Sequence, residues 1–302
     1  MAGKRTENSG YHRNGRTYRR DSMLLLMVLL FLMDLNGSVP LTEALTSPIP
    51  ATGKRPACLP QTFTPMPDPL PELKNSFYLL RHGQSTANVA GIISSARSLA
   101  GSSKHGLTPL GWEQGRASAE QLLDLIEKDG NEGKRIYFYS SSFARARQTA
   151  DACIQGLQSE ENKKKLSKLN LEVMEEEIGV EDGIMERYFG RLDGKALMTY
   201  AYVWPVDMID NTHTAFDVES VSEVATRVGE AIRRIDACHN GEVIVLTSHA
   251  DTLQITQLYA ANFPNVGAFS QYRFTNGEVR SMKRTPDSLP DAEPLKPPKI
   301  GT

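Results

Sequence analysis

Short apolar runs and longer helical-period stretches alternate along the middle of the chain. Phe77-Tyr78-Leu79-Leu80, Ile136-Tyr137-Phe138-Tyr139 and Val243-Ile244-Val245-Leu246 are brief and rich in β-branched or aromatic side chains, which reads as buried strands. Between them apolar residues recur at helical spacing. One such set runs through Trp112, Ala119, Leu122, Leu123 and Ile126 and stops before Gly130. Thr108 is its expected N-cap, with Pro109 in the first helical position. A second helix is predicted from near Arg145 through Ala150, Cys153, Ile154 and Leu157. A third runs through Val221, Val224, Val228, Ile232 and Ile235. Strands alternating with helices predict an α/β fold with a largely parallel sheet. Residues 269–274 and 278–282, around Asn276-Gly277, predict a terminal hairpin or edge strand.

Proline placement marks where this pattern begins and ends. Of 17 prolines, nine lie between Pro40 and Pro71 and five between Pro286 and Pro298. Only Pro109, Pro205 and Pro264 fall in between. Proline-rich chain favours extended structure. The expected folded unit is therefore 74–283, with 36–73 a linker and 284–302 a disordered tail. Residues 1–20 carry six Lys or Arg against Glu7, and residues 23–33 are an unbroken apolar run of eleven. A basic flank before a short apolar run is the pattern of a secretory signal. An organelle presequence and an uncleaved anchor are the alternatives. Eleven helical residues span roughly 16 Å, about half of a ~30 Å hydrocarbon core. The expected localisation is thus the secretory pathway or an organelle, with membrane association only if 23–33 is retained.

Charge narrows the function. Lys+Arg 34 against Asp+Glu 36 gives a net charge of -2, which argues against a nucleic-acid binder. Cys58, Cys153 and Cys238 are too few and scattered for a disulfide framework or a zinc site; Cys153 and Cys238 are expected as buried free thiols. No metal site and no cofactor are expected.

The chemistry lies just after each predicted strand. Arg81-His82-Gly83-Gln84-Ser85-Thr86-Ala87-Asn88 follows the first, Ser140-Ser141-Ser142-Phe143-Ala144-Arg145-Ala146-Arg147 the second, and Thr247-Ser248-His249-Ala250-Asp251 the third. Open α/β sheets bind ligands outside the carboxyl ends of their strands. Two histidines and at least two arginines therefore converge on one edge and predict an anionic ligand, because guanidinium forks match phosphate. A neutral imidazole can attack phosphorus and hold the phosphoryl group covalently. Arginines and a second, protonated histidine can stabilise the charge without a metal. A Glu beside a phosphate dianion is pushed toward its neutral form and can protonate the leaving oxygen.

Arg81 to Asn88 resembles the R-H-G-x-[ST]-x-x-N signature of the histidine phosphatase superfamily, phosphoglycerate mutase-like branch. Four further segments follow in the family's order. Leu107-Thr108-Pro109-Leu110-Gly111 is similar to its L-T-x-x-G helix start. Residues 141–150, SSFARARQTA, resemble S-S-x-x-R-A-x-Q-T-A. Met185-Glu186-Arg187-Tyr188-Phe189-Gly190 looks like its E-R-x-x-G acid loop, and Ser248-His249-Ala250 like its late S-H-[GA]. The resemblance covers nearly all of 74–283. It implies an α/β three-layer sandwich with a mostly parallel central sheet and a small phosphorylated substrate. It implies His82 as the nucleophile, Arg81 and Arg145 as the phosphate clamp, His249 as a further donor, and Glu186 as the acid. Asn88, with Gln84 and Ser85 beside it, is implied as substrate-binding. Two departures stand out: Phe143 where a Pro or Asp is common, expected to affect the loop rather than the chemistry, and Val218 in place of Gly before Glu219.

The resemblance admits both phosphatases and mutases. Family mutases resemble one another in a long insertion between acid loop and second histidine; here only 62 residues lie between Glu186 and His249, which favours a phosphomonoesterase. A phosphoglycerate-type mutase is the alternative, and a phosphate-binding regulatory protein on the same fold the third. Residues 91–106, with Arg97 and Lys104, are expected as a mobile loop over an anionic substrate. Tyr200, Tyr202, Trp204 and Pro205 fit an aromatic lid or core packing equally. Glu175, Glu176, Glu177 and Glu181 read as a surface acidic run, Lys163-Lys164-Lys165 as a solvated loop, Arg147 as a helix-surface residue, and His105 and His213 as surface histidines.

Overall fold

The computed structural model describes residues 64–174 and 178–295. The expected targeting segment 1–35, most of the linker, Cys58, Glu175 to Glu177 and the last seven residues lie outside them. The described elements in chain order are β1 (Ser76–Arg81), α1 (Thr86–Ala90), α2 (Pro109–Lys128), β2 (Arg135–Ser140), α3 (Ala144–Leu157), α4 (Glu160–Lys168), β3 (Glu172–Val173), β4 (Gly179–Val180), α5 (Trp204–Asp207), α6 (Val221–Cys238), β5 (Val243–Ser248), α7 (Ala250–Ala260) and β6 (Val279–Ser281). Short 3₁₀ turns join several of them.

Among the described residues the sheet runs β3-β2-β5-β1-β6, with β4 also pairing with β2. All pairs are parallel except β1 with β6. Strand periodicity divides the core into two layers. Tyr78, Val245 and Phe138 lie side by side in register and pack under α2 and α3 with Leu122, Leu123, Ile126 and Cys153. Their neighbours Leu79 and Leu246 face the opposite way, into a cluster with Val224, Val228 and Ile232 of α6 and Leu253 and Leu258 of α7. Helices thus cover both faces of a mostly parallel sheet, the three-layer α/β sandwich expected.

The strand starts and caps follow from local chemistry. Thr108 accepts from the Gly111 amide at 3.1 Å and caps α2. Ser220 and Glu223 close a reciprocal capping box on α6. Parallel register sets Arg81 opposite Ser248 and Ser140 opposite Thr247, so three carboxyl ends finish flush.

Several expectations are corrected. Residues 269–274 form no strand; Val266–Gln271 is a 3₁₀ turn, and Phe269, Tyr272 and Phe274 are buried without pairing in the sheet. The edge strand is β6 alone. Lys163 to Lys165 sit within helix α4, which Ser159 caps and whose acidic first turn and basic last turn complement its dipole. Cys238 is exposed, because it ends α6 beyond the last core-facing residue, Ile235. The tail is packed through 295: Leu289 and Leu295 join the α6–α7 cluster, and the Glu293 amide donates to Gln271 O at 2.8 Å. Residues 64–73 do likewise through Met66, Leu70 and Leu73, and Arg284 donates to Leu70 O at 2.8 Å. Extended proline-rich chain has no internal hydrogen bonds to lose, so spaced leucines suffice to dock it. No described helix is long and apolar enough to cross a membrane.

Candidate active site

His82 continues β1 by donating its backbone amide to Ser248 O at 2.9 Å, which holds it at the sheet's carboxyl edge. The loop behind it presses on the start of α2. A Cβ on Gly83 would stand 2.3 Å from Gly111 O, and one on Gly111 would stand 2.1 Å from Gln84 O, so both glycines are required by close approach. The Gly83 amide donates to Thr149 Oγ1, whose hydroxyl donates to Arg145 O at 2.6 Å. Thr149 therefore ties the His82 loop to the first turns of α3. Asn276 Nδ2 holds His82 O from the other side at 2.9 Å.

The imidazole is set in one tautomer. Its Nδ1 lies 2.7 Å from the Gly83 carbonyl, which only accepts, so Nδ1 carries the proton and Nε2 is left with its lone pair. Arg145 Nε–H donates to that Nε2 at 3.2 Å and to His249 Nδ1 at 3.1 Å. His249 in turn sets its Nε2 2.8 Å from Ser141 Oγ. The two rings meet edge to face with centroids 5.1 Å apart. Burial, reinforced by Arg145 and Arg81, holds His82 well below the ordinary imidazole range; burial, Arg145 and His82 do the same for His249. Both are neutral here. The expectation of a protonated second histidine is corrected: burial and the adjacent Arg145 keep His249 neutral.

Arg145 is buried, pushed down to about 10 by desolvation and still charged at neutral pH. Its Nη2 donates to Ser94 O at 2.8 Å, fixing the fork. Phe143 is not a mere loop variation. Its ring lies under the Arg145 guanidinium, 4.9 Å from Cζ to centroid, and meets His249 edge to face at 5.2 Å. Arg81 donates to Phe274 O at 2.6 Å from the end of β1.

Glu186 joins this edge from the loop after β4. Its Oε1 accepts from the Arg187 amide at 2.9 Å and from the Thr252 amide and hydroxyl at 3.3 Å each. With Oε1 occupied by donors, a proton on this carboxyl sits on Oε2. Asp251, two residues past His249, was not expected at the site. It is buried, accepts from Trp204 Nε1 at 3.1 Å, and lies 3.9 Å from Arg187. Burial, then the Glu186 charge, pushes it up to about 8.

A cavity of about 410 Å³ brings together Arg81, His82, Ser85, Asn88, Arg145 and Glu186 among others; His249 is fully buried, is not part of the wall and meets it through Arg145. Asn88 Oδ1 is occupied by the Ser85 amide and hydroxyl, at 2.9 Å each, leaving its Nδ2 as the donor for a ligand. Gln84 is not in the cavity wall; its Oε1 accepts from Thr108 Oγ1 at 2.9 Å and braces α2. A larger cavity of about 540 Å³ lies at the other end of the strands, beside Asn75, Ser76 and Asn131, and has no histidine. No group of three or more metal-ligating side chains occurs among the described residues.

Other expected placements change. Arg97 does not reach over the pocket: it donates to Glu186 O at 3.2 Å and pairs with Glu219 at 3.0 Å. Within 91–106, Ser95 is held by Asp193 and Gly101 by Ser142. His105 bonds Ser94 Oγ at 2.7 Å, one step from Arg145. His213 is no surface residue: it bonds Asp207 at 2.7 Å with its side chain nearly buried. Arg147 is half-buried against Ser102 O, at 3.5 Å. Tyr200 and Trp204 line the cavity and stack at 4.5 Å, whereas Tyr202 turns to Phe216.

The family model for the histidine phosphatase superfamily (branch 1) matches residues 77–289. Similar solved structures include a mycobacterial glucosyl-3-phosphoglycerate phosphatase complexed with VO3, 20% identical over 68% of this chain and 90% of that one, TM-score 0.49. A mutant phosphoserine phosphatase from Entamoeba histolytica complexed with phosphoserine is 17% identical over 68% and 88%, TM-score 0.49. A putative alpha-ribazole-5'-P phosphatase from Escherichia coli is 17% identical over 74% and 100%, TM-score 0.47. No curated protein matches the chain in sequence. With the family model spanning the sheet, both histidines and the acid loop, the chain belongs to the histidine phosphatase superfamily, branch 1.

Proposed function

We propose that the protein is a phosphomonoesterase acting on a small phosphorylated substrate through a phosphohistidine. The observation that carries this is the single Arg145 Nε–H shared by the two histidine lone pairs, with Glu186 on the same cavity wall. Family members are phosphatases or mutases, and both chemistries need a nucleophile fixed beside a phosphate clamp.

The steps follow from the resting geometry. An incoming phosphate dianion draws the Arg145 fork onto its oxygens, together with Arg81 and Asn88 Nδ2, and uncovers the His82 Nε2 lone pair. Nε2 forms a bond to phosphorus as the bond from phosphorus to the leaving oxygen breaks. Glu186 Oε2–H gives its proton to that oxygen. The Gly83 carbonyl, accepting from Nδ1–H, stabilises the positive charge that grows on the ring. In the second half, Glu186 takes a proton from water as the water oxygen bonds phosphorus and the His82 bond breaks. Phosphate leaves and both groups return to their starting protonation. Charge is supplied throughout by arginine, so the scheme needs no metal.

The test uses the full chain and p-nitrophenyl phosphate with EDTA present. Turnover that His82→Ala abolishes, and a phosphoryl adduct on His82 after a denaturing alkaline quench, support the reading. Isomerisation of a phosphoglycerate without phosphate release supports the mutase instead. Phosphate binding with no turnover supports the regulatory reading. We further place the protein in the secretory pathway or an organelle on the strength of residues 1–35; N-terminal sequencing of the mature protein tests it.

A further inference from the structure

Glu186, Arg187 and Tyr188 are each tied to Glu219, a residue outside the cavity wall. Arg187 Nε donates to Glu219 O at 2.6 Å. Tyr188 gives both of its backbone groups: its amide donates to Glu219 Oε2 at 3.0 Å, and its carbonyl accepts from the Glu219 amide at 2.8 Å. Glu186 is reached through Arg97, whose Nη2 donates to Glu219 Oε2 at 3.0 Å and whose Nη1 donates to Glu186 O at 3.2 Å. Arg227 of α6 closes the far side. Its Nε and Nη2 hold the two Glu219 oxygens at 2.7 and 3.0 Å, and its Nη1 donates to Gly183 O at 2.7 Å.

This hub supplies what the acid's own side chain lacks. Upstream, Ser248 Oγ and Thr252 Oγ1 hold Ile184 O and Met185 O at 2.5 and 2.8 Å. The Glu186 carboxyl itself meets α7 only through two contacts to Thr252, both at 3.3 Å. Hydrogen bonds that long have little reach to spare. The placement of the acid therefore depends on where Glu219 puts residues 186–188. Charge makes a second demand. Burial alone would raise the Glu219 carboxyl, but Arg227 and then Arg97 overcome it and hold it below the usual carboxylate range. Burial, then Arg227, disfavours the Arg97 charge, while Glu219 and after it Glu186 support it. With Glu219 gone, Glu186 is the next carboxylate for Arg97 to take. A carboxylate paired with a guanidinium is held ionised and has no proton to give to a leaving oxygen.

We propose that Glu219 is a positioning residue for the general acid: it sets the backbone of residues 186–188 and keeps Arg97 off the Glu186 carboxyl, and so governs proton delivery to the leaving group. This rests on the phosphatase reading with Glu186 as its acid.

The experiment measures kcat/KM of the full chain on phenyl phosphates graded from p-nitro to p-methoxy. Size and charge change little along the series while the leaving oxygen becomes more basic and more dependent on a proton. Inhibition by inorganic phosphate shows that each variant is folded. In Glu186→Gln the p-methoxyphenyl ester should lose about 10²-fold or more and the p-nitrophenyl ester far less, which steepens the plot against leaving-group basicity. Glu219→Gln should steepen the same plot, with the ratio of p-methoxyphenyl to p-nitrophenyl ester falling about tenfold. Glu186→Gln combined with Glu219→Gln should be no steeper than Glu186→Gln alone, because Glu219 acts through the acid. A merely structural role would instead lower every ester by one factor, and would do so again in the double variant. The inference is overturned if Glu219→Gln lowers all esters equally, or if it steepens the plot further when Glu186 is already Gln. Should Glu219→Gln fail to fold, Arg97→Gln decides the matter. It removes the bond to Glu186 O from a half-exposed side chain and should lower the same ratio about threefold; an unchanged ratio overturns the inference. Failure of the wild type on every ester, or a wild-type slope in Glu186→Gln, overturns the reading beneath it instead.

Discussion

Arg145 Nε and His82 Nε2 lie 3.2 Å apart, the N–H of a buried cation aimed at the lone pair of a buried, neutral imidazole. The same hydrogen is shared with His249, so neither bond is at full strength and both can be exchanged for a phosphate oxygen. Lysine has the charge but not the fork, and cannot hold Ser94 O while bridging two rings. Arg145→Lys should lower kcat/KM by about 10²–10³, the scale seen when one transition-state donor is removed. Steady-state kinetics on p-nitrophenyl phosphate read it, and a loss under tenfold would remove Arg145 from the clamp.

His249 is neutral because burial, then the neighbouring Arg145 cation, disfavours its charge. A bound dianion reverses that balance and favours the imidazolium. Binding of tungstate, a dianion that does not titrate near neutrality, should therefore take up about one proton at pH 7. Calorimetry in Tris and in HEPES measures this from the difference in buffer enthalpies. His249→Gln should abolish the uptake. Wild-type binding with no proton linkage would mean that His249 stays neutral throughout.

Much of this architecture was readable because local patterns and tertiary demands agree. Thr108-Pro109 announced α2, and the runs at 77–80, 136–139 and 243–246 became the three strands that carry the site. Elements escaped where the usual signals vanish. Helix α7 is buried on every side, so its sequence has no polar stripe to betray a period. Asp251 was visible only as the last residue of a quoted strand-end segment, with nothing to say that its carboxyl is buried at the site. Thr149 was visible only as part of a quoted motif; nothing in one sequence says that its hydroxyl bridges Gly83 and Arg145. Gln84 misled by proximity: side chains at the end of a strand diverge, and one residue past Gly83 the chain already belongs to the wall of α2.

Asp251 provides a stability test with a defined sign. Its folded pKa of about 8 stands above the unfolded carboxylate value of about 3.9. Between those values the folded chain holds a proton that the unfolded chain has released. The group's contribution to stability therefore declines as pH rises through that window, and the penalty is complete above about pH 8. Asparagine keeps an oxygen for Trp204 Nε1–H and has no charge to bury. Asp251→Asn should raise Tm, and by more at pH 9 than at pH 5. Equal shifts at the two pH values, or a loss at pH 9, would show that this carboxyl is not held protonated by its burial.

Arg187 tests the scaffold beneath the acid loop. Its side chain is fully buried and meets Asp207 through two bonds of 2.7 Å, while Nε donates to Glu219 O at 2.6 Å. His213 bonds the same Asp207, and the Phe189 and Phe269 rings flank the guanidinium at 5.4 and 5.7 Å. Arg187→Ala leaves a buried carboxylate with only His213 to answer it and should cost about 3–5 kcal/mol in urea unfolding. Removing both charges is a different matter, because a buried ion pair replaced by apolar side chains of similar volume is often nearly neutral. Arg187→Met combined with Asp207→Leu should recover a large part of the lost stability. It should not recover turnover. The Arg187 amide that fixes Glu186 Oε1 remains, but without the Nε bond to Glu219 O the residue next to the acid has lost its tie to the chain just before α6. Stability restored while kcat stays low would separate folding from positioning; a double variant with full kcat would show that the acid needs no such support.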